Sequence, residues 1–151
     1  MTIDLATEEN LRKALFAALK GNHDSFEQAL QTFADKDSLL VACARATDLS
    51  ALMILEQCKG RPSANEESEI AEHAAEYNQW SSISSDEFRQ YIGAILAATP
   101  MEQALGLGTA LRIPFVLCAH LLLIWHAPKE QAYEYLDRLW DILEKGGPRR
   151  S

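Results

Sequence analysis

Ile113-Pro114-Phe115-Val116-Leu117-Cys118-Ala119-His120-Leu121-Leu122-Leu123-Ile124-Trp125-His126-Ala127-Pro128 is the stretch on which the fold turns. It carries no formal charge, and residues 115–125 are apolar apart from His120. A helix that is apolar all round has no face to leave in water, so it belongs at the centre of a domain or in a bilayer. A bilayer span needs about 20 apolar residues. This run supplies eleven and is closely bracketed by Arg112 and Lys129. It is therefore expected to be a buried core helix, with no membrane association.

Outward from that run, helix punctuation is dense and strand patterns are nearly absent. Towards the N-terminus, Thr7 can cap a first helix whose stripe is Leu11, Ala14, Leu15, Ala18 and Leu19, closed by Gly21. Asp24 opens a second, with Phe26, Ala29, Leu30 and Phe33 facing in. Asp37 or Ser38 begins a short third over 39–46, and Asp48 or Ser50 a fourth that runs to Cys58 and stops at Gly60. Ser63 with Glu66, and Ser84 with Glu87, are capping-box pairs for a fifth and a sixth helix. Thr99-Pro100-Met101-Glu102 is a third start signal, and Pro114 must break or kink whatever precedes the apolar run. Pro128 introduces a last helix through Ala132, Tyr135, Leu136, Leu139, Trp140 and Leu143, ended by Gly146-Gly147-Pro148. The expectation is an all-α fold: a single-domain irregular bundle of about eight or nine short helices over residues 1–147, with 148–151 as a frayed tail.

One internal echo stands out. Ala18-x-x-Gly21 followed by Phe26, Ala29 and Leu30 is matched by Ala44-x-x-Thr47 followed by Leu52 and Leu55. The spacing resembles the paired helices of ankyrin-type repeats, but the period is too short and the Thr-Pro-Leu-His signature is missing. It is read as two similar helical hairpins, stacked at the N-terminal end.

At 151 residues, 48% hydrophobic and 24% charged, the chain can bury a core without a metal or disulfide staple. Cys43, Cys58 and Cys118 are odd in number, lack a CxxC pair and sit in apolar helical patterns, as reduced core thiols do. Acids occupy the first residues where a signal peptide would carry bases. A cytoplasmic protein is expected.

Catalytic signatures are missing. Gly106-Leu107-Gly108 follows no strand and lacks the third glycine of a dinucleotide loop, so it is read as small residues that permit close helix contact. Cys118 and His120, two apart on a helix, lie about 200° around its axis and cannot share a proton. His120, among Leu117, Leu121 and Ile124, reads as a satisfied core histidine. On the fifth helix Glu69, His73 and Glu76 can meet on one face, but no partner Glu-x-x-His exists for a di-iron site. His73 is expected to be a surface histidine whose pKa the carboxylates raise. No cofactor, no metal and no enzymatic activity are expected.

Charge supplies the positive signal. Between Arg61 and Arg89 there is no lysine or arginine, yet Glu66, Glu67, Glu69, Glu72, Glu76, Asp86 and Glu87 fall there and carry almost all of the net −8. Glu66, Glu69, Glu72 and Glu76 form one stripe of the fifth helix at about 100° per residue, beside an inward stripe of Ile70, Ala74 and Tyr77. Tyr77 and Trp80 at its edge are residue types common at interface anchors. Phosphate binding needs clustered bases, so nucleic acid is not the expected partner. The expected function is a non-catalytic binding module that docks a basic protein through Glu66, Glu69, Glu72, Glu76, Tyr77 and Trp80, like small acidic immunity proteins, antitoxins or secretion chaperones. The alternative is a small helical enzyme or small-molecule-binding protein with a pocket near the central apolar helix, lined by residues such as His120, Cys118, Trp125 and Arg112.

Overall fold

Asp4, not Thr7, opens the first helix: its carboxylate accepts the Thr7 backbone N–H at 2.8 Å. Starting there adds Thr7 to the buried face of α1 (Leu5–Lys20), which continues through Leu11, Ala14, Leu15 and Ala18. Asn22 rather than Asp24 caps α2 (His23–Leu30) by accepting from Ser25 N–H at 2.9 Å. Several residues near each boundary have a side chain that can cap, and the buried face decides which one is used.

The same rule removes a predicted boundary. Residues expected as two helices form one, α3 (Lys36–Gln57), capped by Asp35. Its buried positions Ala42, Ala46, Leu49 and Met53 keep helical spacing straight through Thr47-Asp48. Thr47 is engaged elsewhere, 2.8 Å from the hydroxyl of fully buried Tyr91. The second hairpin of the ankyrin-like echo is therefore a single continuous helix.

The structure, a computed structural model, describes residues 3–97, 105–126 and 130–145. After α3 come α4 (Ala64–Tyr77), a 3-10 turn (Gln79–Ser81), α5 (Ser85–Ala97), the one-turn α6 (Leu107–Ala110), α7 (Ile113–Trp125) and α8 (Ala132–Glu144). No strand occurs among the described residues. Both expected capping boxes form, Ser63 with Glu66 and Ser84 with Glu87. Pro114 lies in the first turn of α7, where its missing donor costs nothing. The expected start at Thr99-Pro100-Met101-Glu102, Pro128, the glycine stop at 146–148 and the tail at 148–151 lie outside the described residues.

α7 is the axis of the domain. α1 and α3 cover it, α2 lies on α1, and α8 packs against α7 and α3. α4 packs chiefly on α5, which in turn reaches α3 and α7. Every residue from Ile113 to Leu122 is buried. The last turn is not, contrary to the expectation for the whole run: Leu123 is 49% and Ile124 37% exposed. It overhangs the helices that cover the rest. α3 is long and apolar enough to cross a membrane by length and composition, and half of its most apolar window is buried inside the domain.

α8 is fastened by an aromatic clamp. Trp140, almost fully buried, lies under the guanidinium of Arg12 from α1 (5.1 Å) and of Arg45 from α3 (4.7 Å). Arg12 continues to Asp137 at 2.7 Å and Arg45 to Glu144 at 2.8 Å. Asp137 and Glu144 sit three before and four after Trp140, on the same face of the helix. Gly106 and Gly108 are not close-contact glycines: a Cβ at Gly106 would meet nothing within 4 Å, and one at Gly108 only the Arg112 side chain at 3.8 Å.

Candidate functional site

Where α1 and α4 end and α7 overhangs, a cleft of about 70 Å³ opens, lined by Ala18, Leu19, Gly21, Tyr77, Asn78, Trp80, His120 and Leu123. Gly21 is needed there. Its φ of +69° closes α1 in the left-handed region, and a Cβ would come within 3.4 Å of the Trp80 ring. Trp80 in turn meets Phe26 edge to face, with ring centroids 5.3 Å apart.

Beneath the cleft runs a chain of four polar side chains. The Trp80 indole N–H donates to Asn78 Oδ1 at 3.2 Å. Asn78 Nδ2 donates to the Ala74 carbonyl at 2.8 Å and lies 3.2 Å from His120 Nδ1. His120 Nε2 is 2.8 Å from His73 Nδ1. An indole nitrogen can only donate, so Asn78 must present its oxygen to Trp80 and its amide hydrogens to His120. His120 then accepts at Nδ1 and carries its proton on Nε2, which donates to His73; His73 accepts at Nδ1 and holds its own proton on Nε2. Every tautomer follows from one tryptophan.

His120 is 2% exposed. Burial, with a contribution from neighbouring His73, pushes its pKa down to about 4. It is neutral at physiological pH, as the chain of bonds requires. The core-histidine reading of His120 holds, with partners that lie 42 and 47 positions away in sequence. The surface reading of His73 does not hold: the ring is half-buried, bonded to His120, and stacked with Tyr77 at 4.2 Å between centroids.

The residues singled out for partner binding divide into two groups. Glu66, Glu69, Glu72 and Glu76 are all exposed. Glu66 is occupied in the cap of α4, whereas Glu69, Glu72 and Glu76 form no ion pair among the described residues. Some acids on other helices are paired with bases, as in the bidentate Glu27–Arg112 contact at 2.8 Å, whereas Glu9, Asp37 and Glu56 form no ion pair among the described residues. Tyr77, expected to face inward with Ile70 and Ala74, is 62% exposed because its ring lies on His73 instead of turning under the helix. Trp80 is partly buried and forms a wall of the cleft.

Of the four residues considered for a pocket, His120 alone lines this cleft. Arg112 is taken by Glu27. Burial pushes the thiols of Cys43 and Cys118 up to about 12, so neither is a thiolate at neutral pH. Among the described residues no group of three or more His, Cys, Asp or Glu is arranged to hold a metal ion. Sequence reasoning missed Asn78, Leu123 and the end of α1; only the isolated polar residue after a helix, Asn78, carried any signal. No protein-family model matches the chain, and neither a curated protein nor a solved structure matches it.

Proposed function

We propose that this chain is a non-catalytic binding module that docks a basic protein partner through the α4 face, as an inhibitor or escort of the immunity-protein, antitoxin or chaperone type. One observation carries the reading: three glutamates, Glu69, Glu72 and Glu76, stand exposed on one stripe with no ion pair among the described residues, beside a tyrosine that is 62% exposed. Placing like charges on adjacent turns weakens a helix by a few tenths of a kcal/mol per pair, and the charges go uncompensated by lysine or arginine over the whole of α4. A basic surface would supply the missing counter-charges, and Tyr77 a central apolar contact. Three free cysteines fit a reducing, cytoplasmic setting.

The experiment is capture of the partner from native lysate at low salt, then binding kinetics of wild type and of Glu69→Lys/Glu72→Lys/Glu76→Lys at two salt concentrations. Exposed charges act over a Debye length of about 8–10 Å and govern encounter more than residence. Association of the triple variant should therefore slow at least tenfold at low salt, with little change in dissociation. Equal association rates for the two proteins would sink the proposal.

The second reading, a small-molecule-binding protein, would need this cleft as its pocket. Its volume of about 70 Å³ is well below the roughly 300–1,000 Å³ of ordinary ligand sites. It has room for the end of one side chain, as a protein partner would present.

A further inference from the structure

Three helices stop at the cleft. Ala18 and Leu19 belong to the last turn of α1, Tyr77 is the final residue of α4 and Asn78 its cap, and Leu123 belongs to the last turn of α7. The C-terminal end of a helix behaves as roughly half a negative charge, felt within its last turn. α4 and α7 have no basic residue in that turn; α1 has Lys20, which is exposed and does not line the cleft. His120 brings no positive charge at neutral pH. The walls add two aromatic rings, Tyr77 and Trp80, and two aliphatic side chains, Leu19 and Leu123. Asn78 Oδ1 keeps one lone pair after accepting from Trp80.

Resting on the protein-binding reading above, we infer that this cleft seats one lysine or arginine side chain of the basic partner. The hydrocarbon stem lies along Leu19 and Leu123, and the cationic head sits between the aromatic walls at the convergent helix ends. An anion would meet three helix ends of the wrong sign. The source is a polypeptide rather than a free amine because Tyr77, a wall of the cleft, directly follows Glu76 of the glutamate stripe on α4. From Glu69 to Tyr77 is about 12 Å along α4 at 1.5 Å per residue, a length that suits a segment carrying several bases.

The test uses N-acetyl-lysine methylamide as probe and, as its neutral counterpart with the same stem but no ammonium group, N-acetyl-norleucine methylamide, in a protein NMR titration. The lysine probe should shift the Trp80 indole N–H and the Leu19 and Tyr77 amides saturably, and norleucine should bind about tenfold more weakly. Leu123→Lys tethers a cation at the mouth and should abolish the shifts, while Leu5→Lys, which adds the same charge at an exposed position of α1 outside the cleft, should retain them; far-ultraviolet circular dichroism confirms that both variants are folded. Equal binding of the two probes, or no shift with lysine, overturns the assignment. If the glutamate reversal slows the partner while the lysine probe leaves Trp80 unmoved, the cleft assignment fails and the binding module stands. If the probe binds and the reversal changes nothing, the partner is overturned as the source of the cation.

Discussion

An indole nitrogen can only donate, and that property orders the four polar side chains under the cleft. The arrangement suits a neutral His120 alone: a proton on Nδ1 would face the Asn78 amide, donor against donor, in a site that is 2% exposed. The folded-state pKa of about 4 lies below the ordinary histidine value of 6.5. Between those two values the unfolded chain binds the proton and the folded chain does not. Stability from this group is therefore complete above pH 6.5 and falls by about 3 kcal/mol as pH drops to about 4. Urea denaturation at pH 7, 5.5 and 4 measures the loss, and the His120 ring signals should stay constant in NMR down to about pH 5. A His120 midpoint near 6.5 would contradict the buried bond chain. That His120 is a satisfied core histidine was legible in the sequence; its partners were not. His120 sits in an apolar run, His73 among glutamates and Asn78 after a helix, and only tertiary packing across 42 and 47 positions makes them neighbours.

Helices were the most legible level, because periodicity and capping are local. The two serine–glutamate boxes and Pro114 mark real helix starts. Thr47-Asp48 does not, since a residue able to cap carries no instruction to stop and the apolar face continues past it. The apolar run of α7 was legible as core, but its reach beyond its covering helices was not, because sequence says nothing about where neighbours end. That difference gives a prediction at this scale. Leu121→Ala removes atoms from a fully buried position and should cost about 2–5 kcal/mol. Leu123→Ala, at a 49% exposed position two residues later, should cost about 1 kcal/mol or less. Denaturant midpoints of the two variants decide it; equal losses would mean that the last turn is covered.

At the scale of the whole molecule, fold class was legible and helix packing was not. Nothing local announces that Arg12 and Arg45 converge on Trp140 from two different helices. This clamp holds α8 to α1 and α3, and Trp140→Ala should destabilise the domain by about 3–5 kcal/mol, read by thermal or urea unfolding. A loss under about 1 kcal/mol would mean that α8 is not held there. The attachment of α4 is of another kind. It packs chiefly on α5 and meets α7 through the bonds of His73 and Asn78 to His120. Such a pair of helices is expected to open as one unit, with a free energy below that of global unfolding. In amide hydrogen exchange α4 should form a less protected layer than α7. Lower protection of α4 and α5 together would let the face that carries the glutamates adjust its position while α1, α3 and α7 keep theirs.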